Sequence, residues 1–157
     1  MYRKEKFKSL ALYLCGGVAI GVCLALIVYM VYVLQLRTEY RATCLEINDA
    51  ILAAGEEASI ERDGAVWPLD QTTLDYYNMR LLDEGTVVYN RRAAALNARS
   101  IIIHLGDDRL SFTGLEDGSA INIRWETSGK TRYYTVRSSV SFMQLTAYLS
   151  NYIRKTA

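Results

Sequence analysis

The stretch that decides the architecture is Ser9–Leu36, SLALYLCGGVAIGVCLALIVYMVYVLQL, which holds 28 residues and no charge. A helix needs only ~20 such residues to cross the hydrocarbon layer of a bilayer. A cleaved signal peptide has an apolar region of ~7–15 residues ending in a small-x-small site. Here the run is longer, and its exit, Val31-Tyr32-Val33-Leu34-Gln35-Leu36, has no small residue. A lipoprotein signal fails as well, because Leu12-Tyr13-Leu14 precedes Cys15 where a small residue is wanted. The reading is a transmembrane helix over 10–36, a basic tail over 1–9, and a water-facing domain over 37–157.

Charge sets the expected orientation. The whole chain has 18 basic and 17 acidic residues. Residues 1–9 hold Arg3, Lys4, Lys6 and Lys8 against Glu5, which leaves 14 basic and 16 acidic residues for the remainder. Positive flanks stay in the cytoplasm, so the N-terminus is expected inside and the domain outside. Tyr29 and Tyr32 fall at the expected outer interface, and Tyr2, Phe7 and Tyr13 near the inner one, as aromatic belts do. A mildly acidic domain also argues against a nucleic-acid partner, since phosphate binding needs a basic face.

Beyond Leu36 the apolar positions Tyr40, Cys44, Ile47, Ile51 and Ala54 recur every three or four residues, with Arg37, Arg41, Glu46 and Asp49 off the stripe. This predicts one helix from Leu10 to Ala54 whose second half is amphipathic, with Gly55 as its cap. Asp63-Gly64 marks a hairpin turn within Glu56–Leu69. Asp70 is a helix N-cap. Leu69 and Leu74 form a staple, Leu74, Tyr77 and Leu81 a buried stripe, and Gly85 a stop. Val87-Val88-Tyr89 reads as strand, and Arg91–Ala98 reads as helix. Ser100–Leu105, Arg109–Thr113, Ala120–Glu126 and Thr131–Arg137 alternate or run apolar between short Gly/Asp/Ser turns. They predict an antiparallel meander. Ser141-Phe142-Met143-Gln144 is a capping box, with Val140 and Leu145 as a staple. Phe142, Leu145, Leu149 and Tyr152 or Ile153 form the apolar face of a C-terminal helix. The fold class is α+β: a transmembrane helix continuing as a long amphipathic helix, packed on a β-meander with a C-terminal helix.

Three cysteines lie at 15, 23 and 44, so the outer domain holds one thiol and no internal disulfide. Cys44, on the apolar stripe, reads as a core thiol. His104 is the only histidine, so no ordinary zinc site forms around it. No serine sits in a Gly-x-Ser-x-Gly elbow. Asp107, Asp108, Glu116 and Asp117 have no EF-hand spacing and read as solvated turn residues. No catalytic residue, metal site or cofactor is therefore expected. Small residues at Gly17, Gly21 and Ala25, four apart, make a helix groove that a second helix can approach closely. The outer domain is rich in tyrosine and holds 12 Arg against 2 Lys. Both residue types favour interfaces, and Tyr133, Tyr134, Arg124, Arg132 and Trp125 are the candidate surface.

The plan resembles type IV pilins and pseudopilins: a basic leader-like start (Met1–Lys8), an apolar helix that runs on as an amphipathic one (Leu10–Ala54), then an antiparallel sheet (Ser100–Arg137). Phe7-Lys8-Ser9-Leu10 has no glycine or alanine for leader cleavage, and Leu10–Leu34 has no acid. The resemblance therefore implies architecture and no processing residue. The expected function is a non-enzymatic single-pass subunit of a bacterial envelope assembly, working through protein–protein contacts with other membrane subunits or with itself. The alternative is a membrane-tethered ligand-binding domain, whose mark is a pocket lined by Trp67, Trp125 and tyrosines.

Overall fold

The computed structural model describes residues 2–75, 86–92, 99–115, 120–138 and 141–156, with side chains in the first helix described from Tyr13. The chain divides into two units, Met1–Leu36 and Arg37–Ala157.

One helix, α1, spans Tyr2–Ala54. Nothing in its sequence breaks it: it contains no proline, and its glycines stand among strong apolar helix formers. It ends at Gly55, whose φ of 51° is the left-handed stop that glycine adopts at no steric cost. A 3-10 turn (Gly55–Glu57) follows.

In the second unit all strands are antiparallel and form one sheet of seven, ordered β2-β1-β4-β5-β6-β7-β3. They are β1 (Ser59–Arg62), β2 (Ala65–Pro68), β3 (Val87–Asn90), β4 (Ser100–Leu105), β5 (Asp108–Gly114), β6 (Ile121–Thr127) and β7 (Lys130–Arg137). The β1–β2 turn is the expected Asp63-Gly64, with φ of 52° and 80°. Positive φ at both central residues is the twist that suits a two-residue hairpin. The meander β4 to β7 is as expected. It is widened by the β1–β2 hairpin on β4 and by β3 on β7, long-range pairings that local pattern does not specify.

Cross-strand partners share a face, and the register divides the sheet cleanly. Ile60, Ile103, Leu110 and Trp125 form one row across four strands. Ile101, Phe112, Ile123 and Tyr134 form the next. All eight are at most 2% exposed. Burying each such side chain is worth ~1.5–3 kcal/mol, so this face is the core. Residues 37–54 of α1 cover its β6–β7 end, where Tyr40 meets Tyr134 edge-on at 5.1 Å.

The C-terminal helix (Phe142–Thr156) packs on the same face. Its capping box forms as expected: Gln144 N–H donates to Ser141 Oγ at 3.2 Å, and Ser141 N–H to Gln144 Oε1 at 2.8 Å. Leu145 and Leu149 are fully buried. The Phe142 ring lies so close to Gly114 that a Cβ there would stand 2.5 Å from it. Asp70 caps the helical residues 71–75, accepting from Thr73 N–H at 2.7 Å, and Leu74 is buried. The expected positions Tyr77, Leu81 and Gly85, most of the Arg91–Ala98 helix, Glu116, Asp117 and Val140 lie outside the described residues. Arg91 and Arg92 are not helical.

Candidate functional site

Two surfaces and one seam carry the chemistry that the sequence points to. The first is the helix over 13–36. It is the one helix among the described residues long and apolar enough to cross a membrane, with a mean hydropathy of 2.6 in its most apolar window and none of that window buried in the chain. Leu24, Leu26, Val28 and Tyr29 are 57–68% exposed. Gly17 and Gly21 face open space: a Cβ at either would meet nothing within 4 Å. Ala25 is exposed as well. The groove expected from these three is thus unfilled within this chain.

The seam joins the second half of α1 to β7. The buried stripe is Tyr40, Thr43, Ile47 and Ile51, all at most 3% exposed. Cys44 and Ala54, expected on that stripe, lie at its margin and are half-buried. Periodicity missed Thr43 because it is polar. Its hydroxyl is spent in a network: Thr43 Oγ1 and Tyr134 OH share a hydrogen bond of 2.8 Å, and Arg132 Nη1 donates to Thr43 Oγ1 at 3.0 Å and to Glu46 Oε2 at 2.7 Å. The Glu46 carboxylate holds the guanidinium of Arg132 still more firmly protonated than usual. One heptad earlier, Glu39 pairs with Arg91 at 2.6 Å. Glu46, off the apolar stripe, thus ties the helix flank to β7, and Glu39 ties it to the residue after β3.

Burial pushes the Cys44 thiol up to about 11, partly offset by its hydrogen bond with Tyr40. Burial likewise raises the Tyr40 phenol well above its ordinary value. A thiol so far from ionising is a poor nucleophile, although Cys44 lies at the margin of the core and not within it.

The second surface is what remains of the expected aromatic–arginine patch. The structure does not bring its five members together. Trp125 is 1% exposed and Tyr134 2%. Both face the core, because in an alternating strand they share a face with Ile123 and Val136. Among the described residues Trp125 Nε1 has no hydrogen-bond partner. Arg132 is drawn into the seam. Arg124 and Tyr133 remain together on the opposite, polar face, the guanidinium 5.8 Å from the ring centre, with Arg124 also paired to Glu126. His104 lies on the same polar face, its Nε2 in a 2.9 Å hydrogen bond with Glu61 Oε2.

The structure also contains an open cleft of about 480 Å³ lined by Gly55, Glu56, Pro68, Leu69, Asp70, Gln71 and Tyr152. Tyr152 spans its wall, its hydroxyl donating to Pro68 O at 3.0 Å and accepting from Asp70 N–H at 3.2 Å. Neither tryptophan lines it. Among the described residues no group of three metal-ligating side chains is assembled. Comparison with known protein families, with curated proteins and with solved structures finds no match to this chain.

Proposed function

We propose that the chain is a non-enzymatic single-pass membrane subunit of a bacterial envelope assembly, pilin-like in plan, that works by protein–protein contact. The observation that carries this reading is the uncovered apolar surface of residues 13–32. Such a surface is stable only in lipid or against other apolar helices. Its small-residue groove at Gly17, Gly21 and Ala25 suits a second helix better than lipid, because a partner backbone approaches closely where no side chain intervenes. The basic tail places the N-terminus in the cytoplasm and the sheet domain outside. The partner is another membrane subunit or a second copy. Two features place this reading ahead of a ligand-binding domain: Trp125 belongs to the core, and the cleft beside Tyr152 holds neither tryptophan.

The test is a Gly17→Leu/Gly21→Leu double variant, scored by membrane fractionation and by crosslinking in the native host. Hydrophobicity and insertion are retained while the groove is filled, so membrane levels stay normal and association weakens by ~1–2 kcal/mol. Undiminished crosslinking to the same partners, in the same amounts, overturns the assembly role and leaves a plain anchor.

A further inference from the structure

The two edges of the sheet are finished differently. At the β2 edge, Arg62 and Ala65 flank a two-residue turn and so exchange hydrogen bonds, as Ile60 and Trp67 then do. Val66 and Pro68 point outward. Pro68 has no N–H to offer, and its carbonyl already accepts from the Tyr152 hydroxyl. This edge leaves Val66 alone able to bond a further strand.

The other edge stops short. β7 runs from Lys130 to Arg137 and pairs with β6 from Lys130 to Val136, but β3 covers only Thr135–Arg137, with a bulge at Tyr89. Thr127 and Lys130 flank a two-residue turn, so Lys130, Arg132 and Tyr134 bond to β6. Thr131 and Tyr133 therefore aim their N–H and C=O groups away from β6, into the line that β3 has vacated. Among the described residues nothing pairs with them. The result is a slot about five residues, or ~17 Å, long, bordered on one face by Arg132 and Glu46 and on the other by Tyr133 and Arg124.

The charge at the slot is one-sided. The nearby acids Glu39, Glu46 and Glu126 are matched by Arg91, Arg132 and Arg124. Lys130 borders one end of the slot, whereas Arg92, after β3, is turned back so that its carbonyl accepts from Asn122 Nδ2 of β6 at 2.6 Å. Among the described residues, the Lys130 side chain has no acidic partner.

The geometry points to strand addition at this slot: we infer that Thr131 and Tyr133 take up an extended, carboxylate-bearing segment of a partner protein, which continues the line of β3. Main-chain bonds supply the pairing, and Lys130 selects the charge. A second copy of this chain is the poorer occupant, because antiparallel pairing of two such slots sets Arg132 against Arg132, and like charges directly opposed are destabilising. This inference rests on the protein–protein reading above and gives that reading a binding mode.

The probe is a peptide of about eight residues, an ordinary strand length, alternating valine and glutamate, with a valine–lysine peptide as control. The full chain in detergent micelles is followed by amide hydrogen exchange. The glutamate peptide is expected to slow exchange at Thr131 and Tyr133 by about tenfold or more, and the lysine peptide to leave it unchanged. Thr131→Pro removes an outward N–H without touching the β6 pairing, and Lys130→Glu reverses the charge. Each is expected to weaken binding by about tenfold, a loss of ~1.4 kcal/mol. Unaltered exchange at Tyr134 and Val136 verifies the fold, and Lys130→Glu serves alone if the proline variant does not fold. Three results overturn the proposal: Thr131 and Tyr133 protected in the protein without peptide, protection that grows with protein concentration alone, or equal effects of both peptides. None of these bears on the anchor, which fractionation and crosslinking of the glycine variants test separately.

Discussion

Residues 13–35 and residues 37–54 belong to one helix, yet they obey opposite rules. In the first stretch apolar side chains face outward all round: Leu24 is 58% and Leu26 57% exposed. In the second, Ile47 and Ile51 are at most 2% exposed while Arg41 and Asp49 lie outward. Both belong to one unbroken helix, so the contrast lies in what each stretch is built to face. A helix apolar on every side has no inside to fold against and needs lipid. A helix with one apolar stripe builds a core in water.

The largest expected effect tests that division directly. Ile47→Ala leaves a cavity under the helix and should cost the domain ~2–5 kcal/mol, read as a lowered denaturant midpoint for the water-facing domain of the full chain in micelles. Leu24→Ala should leave that midpoint where it is. Equal losses from the two substitutions would mean that the first stretch also belongs to the domain's core.

The glycines sharpen the same contrast. Gly114 stands against the Phe142 ring, whereas Gly17 and Gly21 have nothing within 4 Å. Gly114→Ala forces the ring or the strand to shift and should destabilise the domain by ~1–3 kcal/mol. Phe142→Ala in the same chain should recover part of that loss by removing the clash. Gly17→Ala should not move domain unfolding at all. A Gly114→Ala variant of unchanged stability would show that the C-terminal helix has room to lift from the sheet.

Much of this was legible before any coordinates. The uncharged 28-residue run, the Asp63-Gly64 turn, the Asp70 cap, the Ser141–Gln144 box and the alternation over Ile121, Ile123 and Trp125 are local signals with one physical reading each. What escaped is non-local. No periodicity reveals that β1 pairs with β4, or that β3 covers only one end of β7. The preference of aromatic residues for interfaces points Trp125 and Tyr134 to the surface, but their own alternation with Arg124 and Tyr133 places them on the core side. Thr43 and Glu46 were missed because a polar residue at a helix–sheet seam declares itself only through its partner, and Arg132 lies 86 residues from Glu46.

That seam supplies the third test, since residues 13–35 offer no counterpart to it. Thr43→Val keeps the shape but leaves the buried Tyr134 hydroxyl without its hydrogen-bond partner, at an expected ~1–2 kcal/mol. Removing both hydroxyls, with Thr43→Val and Tyr134→Phe together, should cost less than the two single changes summed, because no hydroxyl is then stranded and Arg132 keeps Glu46. A double-mutant cycle in thermal or denaturant unfolding measures the difference. Strict additivity would mean that water reaches the seam and replaces the lost partner.

The smallest expected effect concerns side chains that look alike and are not. Leu45 and Leu52 are 67% and 66% exposed, much as Leu24 and Leu26 are at 58% and 57%. In the first pair the leucines lie on the outward side of an amphipathic helix, between polar neighbours such as Asp49, and scattered surface leucines contribute little. Leu45→Gln/Leu52→Gln should therefore change domain stability by no more than ~0.5 kcal/mol per site. On the membrane reading proposed above, the same exposure in the second pair is to lipid. Leu24→Gln/Leu26→Gln places two amides where no water can hydrogen-bond them, so insertion should fall, as read from the membrane-bound fraction, while domain unfolding stays put. The fractional exposures are nearly equal, so any difference between the two double variants reports the solvent around each half of the helix and not its packing. A loss of membrane-bound protein from the Leu45/Leu52 variant would move the lipid boundary outward past Leu45. Normal membrane levels for the Leu24/Leu26 variant would remove the distinction between the two stretches of helix.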